Sequence, residues 1–503
     1  MKYVFVALGW LALVAAVPAV MHWPLGAHAG FLYNLLLWTA VAGYSLKLLG
    51  KDRNGSGTTG LVLLIGAPLA MAALWLLSAV PLRAGDYHRL AGGVSPHEAQ
   101  LESLTRPENL LRVSTRAMAW QMANKALGGE ITLDGRTVQL TSQFEISAER
   151  GTLLRLDDKA HQGLYWIFVL DYSGLFASLD LPWVPGYVLL SATDPQARAE
   201  LVTDRQFRYT PNAFFDRSLD FQTYWRHVGE QVEETHLELD DAGNPWWVTS
   251  YSMPGVGLDG YVLSSVSVLN PETGDETAMT WDQWLARKGE FAWLDRVVPE
   301  AVAARRLDQW WSLGNGWLNA LGFPGANVLQ RTPYSGNELW FLPLAKSNVW
   351  LSGITSMNNK DYSLVNFSLI DTRTGDLSYI KVKGTEEDGA VKMAQGALGA
   401  DSSIWKPVLP TPIVFEGKPW WSLMIVDSQD LFRAVALLPL DSTNEVYFGN
   451  SLADAMVKAG LGEPQAAGPS PAAEASVTLT LTATEAALLK QLLRRLNDAT
   501  GGR

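Results

Sequence analysis

Cysteine is absent from this chain of 503 residues, which excludes disulfide bonds, thiolate metal sites and cysteine nucleophiles. Charge is also scarce: Asp, Glu, Lys and Arg make up 18% of the residues, whereas soluble chains carry about 25%. Apolar residues make up 48%. This balance is typical of a chain that places part of its length in a membrane. Because a single core stops growing near ~250–300 residues, the chain is long enough for more than one core.

Basic residues are fewer than acidic ones, 39 against 51, so the formal net charge is −12. The difference is concentrated after residue 83, where 34 basic and 50 acidic side chains remain. A surface of this charge is repelled by phosphate backbones, so we predict no nucleic-acid partner.

Charged side chains are almost missing from three apolar stretches, residues 3–20, 31–49 and 59–80, in which Lys47 is the one exception. Each stretch has about the 17–25 residues that cross a bilayer core as a helix. The sequence therefore predicts three transmembrane helices within residues 1–83 and a lipid bilayer as a partner. In an alternative interpretation, the first stretch is a signal peptide cleaved near Ala27-His-Ala29.

The loops between these stretches predict an orientation. Lys47, at the end of the second stretch, and Lys51 and Arg53, in the loop after it, are basic, whereas residues 21–30 contain no Lys or Arg. Because cytoplasmic loops are enriched in basic residues, we expect a cytoplasmic N-terminus. The large domain from about residue 84 is then extracytoplasmic, and periplasmic if the envelope has two membranes.

Short motifs recur in the large domain. Asp241-Ala-Gly-Asn-Pro-Trp-Trp247 and Glu416-Gly-Lys-Pro-Trp-Trp421 are turns that open a strand with two aromatic residues. Asn270-Pro-Glu-Thr-Gly-Asp275 and Asp371-Thr-Arg-Thr-Gly-Asp376 close strands, and their glycines supply the positive φ that such turns need.

These repeats predict an α+β fold of small antiparallel sheets with packed helices. The predicted repeats span residues 155–462, in four units at 155–215, 232–322, 332–400 and 408–462. Residues 84–154 are predicted to be a helical connector, with a helical pattern at 97–127 that Pro107 interrupts, followed by the first strands. Alternation predicts strands at 131–140, 163–170, 187–192 and 261–269.

The quoted turns resemble the PepSY-type module of bacterial envelope proteins, in which a strand opened by "GxPYW"-like residues pairs with a strand ending in "D-x-x-TG". The chain also resembles bacterial multi-pass membrane proteins in which membrane helices precede such strands. The resemblance implies a small sheet covered by a helix in each unit, used for binding or inhibition rather than chemistry. It implies no catalytic residue.

The C-terminal segment has a different composition. Residues 463–476 are rich in Pro and Ala and are predicted to be a flexible linker. Within residues 477–503, Leu488, Leu492 and Leu496 lie on one apolar stripe at helical spacing. We expect this amphipathic helix to bind a partner surface, which is its own domain, a second copy of the chain or another protein.

Motifs for specific chemistry are weak. The G-x-G-x-x-G at residues 255–260 is followed by a strand rather than a helix, so we interpret it as a hairpin loop and not as a nucleotide site. His227, Glu230, Glu234 and His236 are residue types that bind metals, but no H-E-x-x-H is present, and the alternation around His236 favours a solvated acidic face over residues 230–241. We predict no metal, cofactor or catalytic residue.

Adjacent residues in a strand point to opposite faces, so one Trp of each pair should lie outward. On this basis Trp247 and Trp421 are candidate partner contacts. The sequence thus predicts a membrane-anchored, non-enzymatic envelope protein that binds a protein or peptide partner. One alternative is a structural subunit of an envelope assembly such as a secretion or conjugation machine. Another is a carbohydrate-binding or hydrolytic envelope enzyme. The oligomeric state stays open.

Overall fold

The computed structural model describes residues 2–21, 24–25, 28–49, 56–92, 96–133, 135–158, 160–258, 260–314, 328–332, 339–344, 347–356, 362–442 and 444–461. The predicted linker and C-terminal helix, with Leu488, Leu492 and Leu496, lie outside the described residues.

Helices occupy the N-terminal region and then follow the sheets along the chain. They are α1 (Lys2–Met21), α2 (Ala29–Leu49), α3 (Ser56–Ser78), α4 (Ala84–Gly92), α5 (Arg116–Ala126), α6 (Leu140–Gln143), α7 (Leu175–Asp180), α8 (Leu219–Arg226), α9 (Trp281–Arg287), α10 (Glu300–Leu313), α11 (Glu387–Ala397) and α12 (Leu452–Lys458). Short 3-10 helices lie at Val80–Arg83, Leu101–Leu104, Glu108–Leu110, Phe215–Arg217 and Gly399–Ser403.

The first three helices coincide with the three predicted apolar stretches, but the prediction of three membrane spans is not supported. Among the described residues, one helical segment, Leu61–Ser78 in α3, is long and apolar enough to cross a membrane. The apolar part of α1, Phe5–Val17, is shorter. In α2, polar residues such as Asn34 and Lys47 lower the mean hydropathy.

Strands dominate the rest of the chain. They are β1 (His97–Glu98), β2 (Glu130–Leu133), β3 (Arg136–Gln139), β4 (Phe144–Glu145), β5 (Thr152–Asp157), β6 (Gln162–Val169), β7 (Asp171–Tyr172), β8 (Tyr187–Ser191), β9 (Glu200–Val202), β10 (Gln231–Leu239), β11 (Pro245–Val256), β12 (Gly260–Leu269), β13 (Glu276–Thr280), β14 (Leu329–Arg331), β15 (Trp340–Pro343), β16 (Asn348–Ser356), β17 (Ser363–Asp371), β18 (Leu377–Thr385), β19 (Trp405–Phe415), β20 (Lys418–Asp427), β21 (Phe432–Pro439) and β22 (Tyr447–Gly449).

The strands form several small sheets. Three of them have four strands each, in the orders β5-β6-β8-β9, β10-β11-β12-β13 and β19-β20-β21-β22. A fourth has the order β1-β18-β17-β16-β14, with β15 also paired to β16, and two ribbons pair β2 with β3 and β4 with β7. Apart from the parallel pair β1–β18, the neighbours are antiparallel. The predicted α+β class with small antiparallel sheets and helices is therefore confirmed.

Two strand-closing turns, after β12 and after β17, have the same hydrogen-bond pattern. The side-chain oxygen of Asn270 or Asp371 accepts hydrogen bonds from the backbone N–H groups two and three positions later, at 2.8–3.1 Å. Gly274 and Gly375 follow with φ of +78° and +73°, the left-handed conformation that glycine adopts without strain. Similar local sequences thus build the same turn at two places in the chain.

Helices begin where the sheets end and cover them. After β13, the Thr280 side chain accepts a hydrogen bond from the N–H of Gln283, whose own side chain bonds back to Thr280 and completes a capping box. This fixes α9 so that Trp284 is fully buried against the sheet. The Trp284 indole N–H donates to the carbonyl of Arg373, 2.7 Å away, and so ties α9 to the turn after β17.

Candidate functional site

A cavity of about 550 Å³ lies where three sheets meet. Its walls come from the ends of β5, β10 and β17, the start of β16 and the segment between α9 and α10. Its lining residues are Arg155, Leu156, Asp157, Asp158, Leu239, Asp240, Asp241, Lys288, Ala292, Trp293, Leu294, Asp295, Ser347, Asn348, Asp371, Arg373 and Thr374.

Asp295 is the most deeply buried acid of this cavity wall. One of its carboxyl oxygens accepts a hydrogen bond from the Asn348 side-chain amide, 2.8 Å away. The other accepts from the backbone N–H of Arg155. Two sheets thus fix the carboxyl group in one position, and the cavity is the open space beside it.

Glu238, on β10, lies behind Asp295 in the interior. Its carboxylate accepts hydrogen bonds from the backbone N–H groups of Asp295 (2.7 Å) and Arg296 (3.1 Å). Burial raises the pKa of both acids, and the charge of Glu238 raises the pKa of Asp295 further. The pair therefore retains a proton at a pH at which ordinary carboxylic acids are ionised.

Two other acids of the cavity behave oppositely. Burial raises the pKa of Asp158 and Asp240, but hydrogen bonds outweigh burial and lower the pKa of each. For Asp158 these bonds come from His161 and from the backbone N–H of Ala160, and for Asp240 the first comes from the indole of Trp246. The cavity therefore combines a protonated acid with ionised carboxylates, the arrangement that acid–base catalysis requires.

The carboxylates of the cavity differ in whether they form hydrogen bonds with the rest of the chain. Asp158, Asp240 and Asp371 each accept backbone hydrogen bonds within a turn. The side chains of Asp157 and Asp241 make no hydrogen bond or ion pair with the part of the chain that the structure describes. These two are free to act on a bound molecule.

Cations and aromatic rings complete the cavity wall. Arg155 donates to the carbonyl of Leu344, 3.0 Å away, and Arg373 donates to that of Phe291, 2.8 Å away. Trp293 lines the cavity with its ring centroid 6.2 Å from that of Trp246. The wall thus offers an aromatic surface next to carboxylates and guanidinium groups.

The two tryptophans predicted as partner contacts are in the core, which corrects that prediction. Trp247 and Trp421 are both buried. Each indole N–H donates to a backbone carbonyl at 2.8 Å, that of Tyr209 and that of Thr385 respectively. Both faces of these strands are covered, so strand alternation does not bring either ring to the surface.

The acidic stretch at residues 230–241 is also not a solvated face. His236 and Glu238 are buried and lie 3.0 Å apart, while His227 pairs with Glu230 at 3.0 Å and with Glu276 at 3.2 Å. Within the described ranges, no group of three or more His, Asp or Glu side chains is placed to hold a metal ion.

Sequence analysis missed Asp295 and Glu238. The sequence does contain a pattern that indicates a buried charged group: in Leu294-Asp-Arg-Val-Val298, two charged residues interrupt an apolar run. Such residues are rarely buried unless they are paired, so a charged pair within a core segment indicates a buried polar network.

Comparisons with known proteins do not assign this chain to a family. No family model matches this chain, and no curated protein matches it. Among solved structures, a mutant of the α-L-arabinanase of Cellvibrio cellulosa matches with 10% sequence identity and a TM-score of 0.18, covering 61% of this chain and 78% of that chain. That protein is an enzyme, whereas the sequence predicted a non-enzymatic protein that binds a protein or peptide partner, and we do not retain that prediction. At this TM-score the likeness assigns neither a fold nor a substrate to this chain.

Proposed function

We propose that this chain is a membrane-attached enzyme of the cell envelope that hydrolyses a carbohydrate in the Asp295 cavity. The observation that carries the proposal is the position of Asp295. Its carboxyl group keeps a proton because of burial and the neighbouring Glu238, and it lines a cavity of about 550 Å³ that also contains carboxylates without a structural role.

The reaction follows from these groups. Asp295 donates its proton to the glycosidic oxygen as the bond from that oxygen to the anomeric carbon breaks. Asp157 or Asp241 takes a proton from water, whose oxygen forms the new bond to the anomeric carbon. The products are two shorter sugars, and the proton taken up by the base returns to Asp295 through solvent.

The cavity wall favours a sugar as the substrate. Trp293 presents an aromatic surface that suits the apolar face of a sugar ring, and Lys288 and the carboxylates suit its hydroxyl groups. Acidic groups outnumber basic ones in the wall, which favours a neutral sugar over an anionic one.

Attachment to a membrane is supported by α3. The exposed apolar surface of Leu61–Ser78 needs a bilayer or an equivalent environment. We further propose that α1 and α2 lie in the bilayer beside α3. In support, the polar Asn34 of α2 bonds within this helix group, accepting from Trp38 at 2.9 Å and donating to the Val14 carbonyl at 3.4 Å. Basic residues between α2 and α3 favour an extracytoplasmic large domain.

The kinship of the strand–turn units with PepSY-type modules is a separate proposal about their fold. Its support is the matched geometry of the turns at Asn270 and Asp371. It is independent of the cavity, whose key acid, Asp295, lies outside both turns.

The function is tested by hydrolysis of envelope oligosaccharides by the full chain in nanodiscs, measured as released reducing ends. We expect Asp295→Asn to lower the rate by about 10²–10⁴-fold, since a general acid contributes about that much. Asp371→Asn is the matched control, because it removes a charge from the same cavity while Asn270 fills the equivalent place in the other turn. Its rate should stay near that of the wild type.

The pH dependence of the hydrolysis rate distinguishes a role of Asp295 in proton transfer from a role in stabilising the fold. Because Asp295 acts in its protonated form, activity should fall as the pH rises through the pKa of Asp295. Glu238→Gln removes a charge that raises this pKa, so this fall should move to lower pH. Activity of Asp295→Asn equal to that of the wild type, or no cleavage of any oligosaccharide, would overturn the proposal.

A further inference from the structure

An exposed aromatic patch lies on α7, on α8 and on the 3-10 turn that directly precedes α8, outside the Asp295 cavity. Two of its rings are almost fully exposed, Phe176 at 85% and Phe215 at 70%. The patch consists of Phe176, Leu179, Phe214, Phe215, Phe221 and Trp225. Large contiguous apolar surfaces are rare on soluble proteins and mark sites of interaction.

The patch is one continuous surface. The backbone N–H of Phe214 donates to the Ser178 hydroxyl of α7 at 3.3 Å, which holds the turn against that helix. Phe214, Phe215 and Phe221 together line a shallow groove of about 420 Å³. The ring centroids of Phe221 and Trp225 are 5.8 Å apart on one face of α8.

The patch adjoins the place where the N-terminal helices meet the large domain. The turn between α1 and α2 bonds to the loop after α8, from the Leu25 N–H to the Val228 carbonyl at 2.6 Å. His28 bonds to the carbonyl of Gly229 at 2.8 Å. Val228 follows Trp225 by three residues, so their Cα atoms are at most about 11 Å apart.

The third helix ends at the same side. Ser78, its last residue, accepts a hydrogen bond from the N–H of Leu258 at 3.1 Å. If α3 crosses the bilayer, the membrane surface is therefore near Ser78, Leu25 and Val228. The headgroup region is roughly 5–8 Å deep on each side of the hydrocarbon core, and Trp and other aromatic rings prefer it.

The backbone at the tip of the patch is strained in a way that exposes a ring. Phe215 has φ +60°, a conformation that bulky residues rarely adopt. Strain of this kind persists at functional positions when the surrounding structure enforces it. Here it projects an apolar ring into solvent, where burial by an external surface would stabilise it.

We propose that the aromatic patch inserts into the headgroup region of the bilayer that holds α3, and so fixes the large domain against the membrane surface. The proposal rests on the proposed membrane attachment. Asp180, Asp216 and Asp220 near the patch are matched in number by Arg136, Arg217 and Arg226, so charge gives no net attraction to anionic lipid and we expect a zwitterionic lipid to suffice.

The absence of cysteine allows a direct test with single labels. Cysteine is introduced as Phe176→Cys, Phe215→Cys, Leu69→Cys or Ser403→Cys in the full chain, and each is coupled to the fluorophore NBD. Leu69 is an exposed residue of α3, and Ser403 is an exposed residue of the large domain. The proteins are placed in phosphatidylcholine vesicles, and quenching by aqueous iodide is measured.

We expect the labels at 176, 215 and 69 to emit at shorter wavelength and to resist quenching, whereas the label at 403 is quenched. If the label at 69 is protected but those at 176 and 215 are quenched like that at 403, the patch lies in water and the proposal fails while the attachment stands. If the label at 69 is also quenched, the attachment itself fails. If Phe215→Cys chains instead form disulfide-linked dimers in the vesicles, a second copy of the chain covers the patch, which also overturns the proposal.

Discussion

Two histidine clusters at the sheet β10–β13 have the same residue types, but one histidine is charged and the other is neutral. His227, at the entry to β10, lies between Glu230 and Glu276. His236, within β10, lies beside Glu238. Burial lowers the pKa of His227, but the hydrogen bonds to its two glutamates outweigh burial and raise it to about 9. Burial lowers the pKa of His236 to about 3, and the charge of Arg296 adds to this effect.

The pKa values of the acids also differ between the two clusters. Burial raises the pKa of Glu230 and Glu276, but the hydrogen bond from His227 and other bonds lower it. For Glu238, burial dominates and the pKa is raised. The first cluster is therefore a set of ion pairs, whereas in the second His236 stays neutral and the pKa of its acid is raised.

The difference shows what decides the charge of a buried histidine. His227 and its partners retain some contact with solvent, and His227 faces two acids, of which Glu276 also pairs with Arg226 at 3.2 Å. His236 is buried beside Arg296, which already supplies the positive charge that the acids need and pairs with Glu234 at 2.5 Å. A protonated His236 would be a second cation beside Arg296 without an acid to pair with, so His236 stays unprotonated.

The largest effect is expected from breaking the buried cluster. Glu238→Ala leaves the backbone N–H groups of Asp295 and Arg296 without acceptors and removes a buried partner of Arg296. We expect the free energy of unfolding to fall by about 3–5 kcal/mol, the usual cost of removing one member of a buried charged network. Urea unfolding of the full chain in detergent, followed by tryptophan fluorescence, measures this change.

Glu238→Gln is the matched control, because its side-chain oxygen still accepts one of the two hydrogen bonds. Its loss should be smaller, about 1–3 kcal/mol, the range expected for one unsatisfied buried group. Equal losses for the Ala and Gln variants would show that the charge of Glu238, and not its hydrogen bonds, holds the cluster together.

The pH dependence of stability should differ in sign between the two histidines. The folded-state pKa of His227 lies above its unfolded value near 6.5, so its contribution is fully present below pH 6.5 and is lost as the pH rises through about 9. His227→Gln should therefore destabilise the chain at pH 6 and have little effect at pH 10. Unfolding midpoints measured across this range test the prediction.

His236 provides the opposite case. Its folded-state pKa is lowered to about 3, so wild-type stability falls as the pH drops below 6.5, where the unfolded chain takes up a proton that the fold excludes. His236→Gln should remove part of this acid-side loss. The comparison fails if the stability difference between His227→Gln and the wild type does not shrink from pH 6 to pH 10, or if His236→Gln does not lessen the loss of stability below pH 6.5.

The strands could be predicted from the sequence because the patterns that indicate them lie within a few consecutive residues. Alternation and glycine turns place β6, β8 and β12 within one or two residues of the predicted strands. The hairpin between β11 and β12 also forms where G-x-G-x-x-G predicts a loop. By contrast, the predicted helical region at 97–127 is α-helical at 116–126 and contains two 3-10 turns before it. Pro107 lies at the start of the second of these turns.

The candidate site could not be predicted because it forms only in the folded chain. The bonds that fix Asp295 come from residues 140 positions earlier and 53 positions later. The prediction that Trp247 and Trp421 lie outward was wrong for a related reason. Alternation assigns residues to two faces of a strand, but it does not show whether other parts of the chain cover both faces. Tertiary packing decides burial, and burial decides which acids keep a proton.

The smallest effect is expected within the His227 cluster, at Ser265. Its hydroxyl is 2.9 Å from both carboxylate oxygens of Glu230, so Ser265→Ala removes one hydrogen bond to an ionised acceptor. The serine is buried, and the loss at pH 7 should be about 1.5 kcal/mol, the low end for hydrogen bonds to charged groups. The hydroxyl helps to lower the pKa of Glu230, so this stabilisation is present above the unfolded pKa near 4.5 and is lost as the pH falls below it. Urea unfolding at pH 7 and at pH 3.5 should therefore give a smaller difference between wild type and Ser265→Ala at the lower pH. A difference that stays constant between these pH values would mean that Ser265 contributes by packing alone, and that the ion pairs of this cluster depend on His227 rather than on its hydroxyl neighbours.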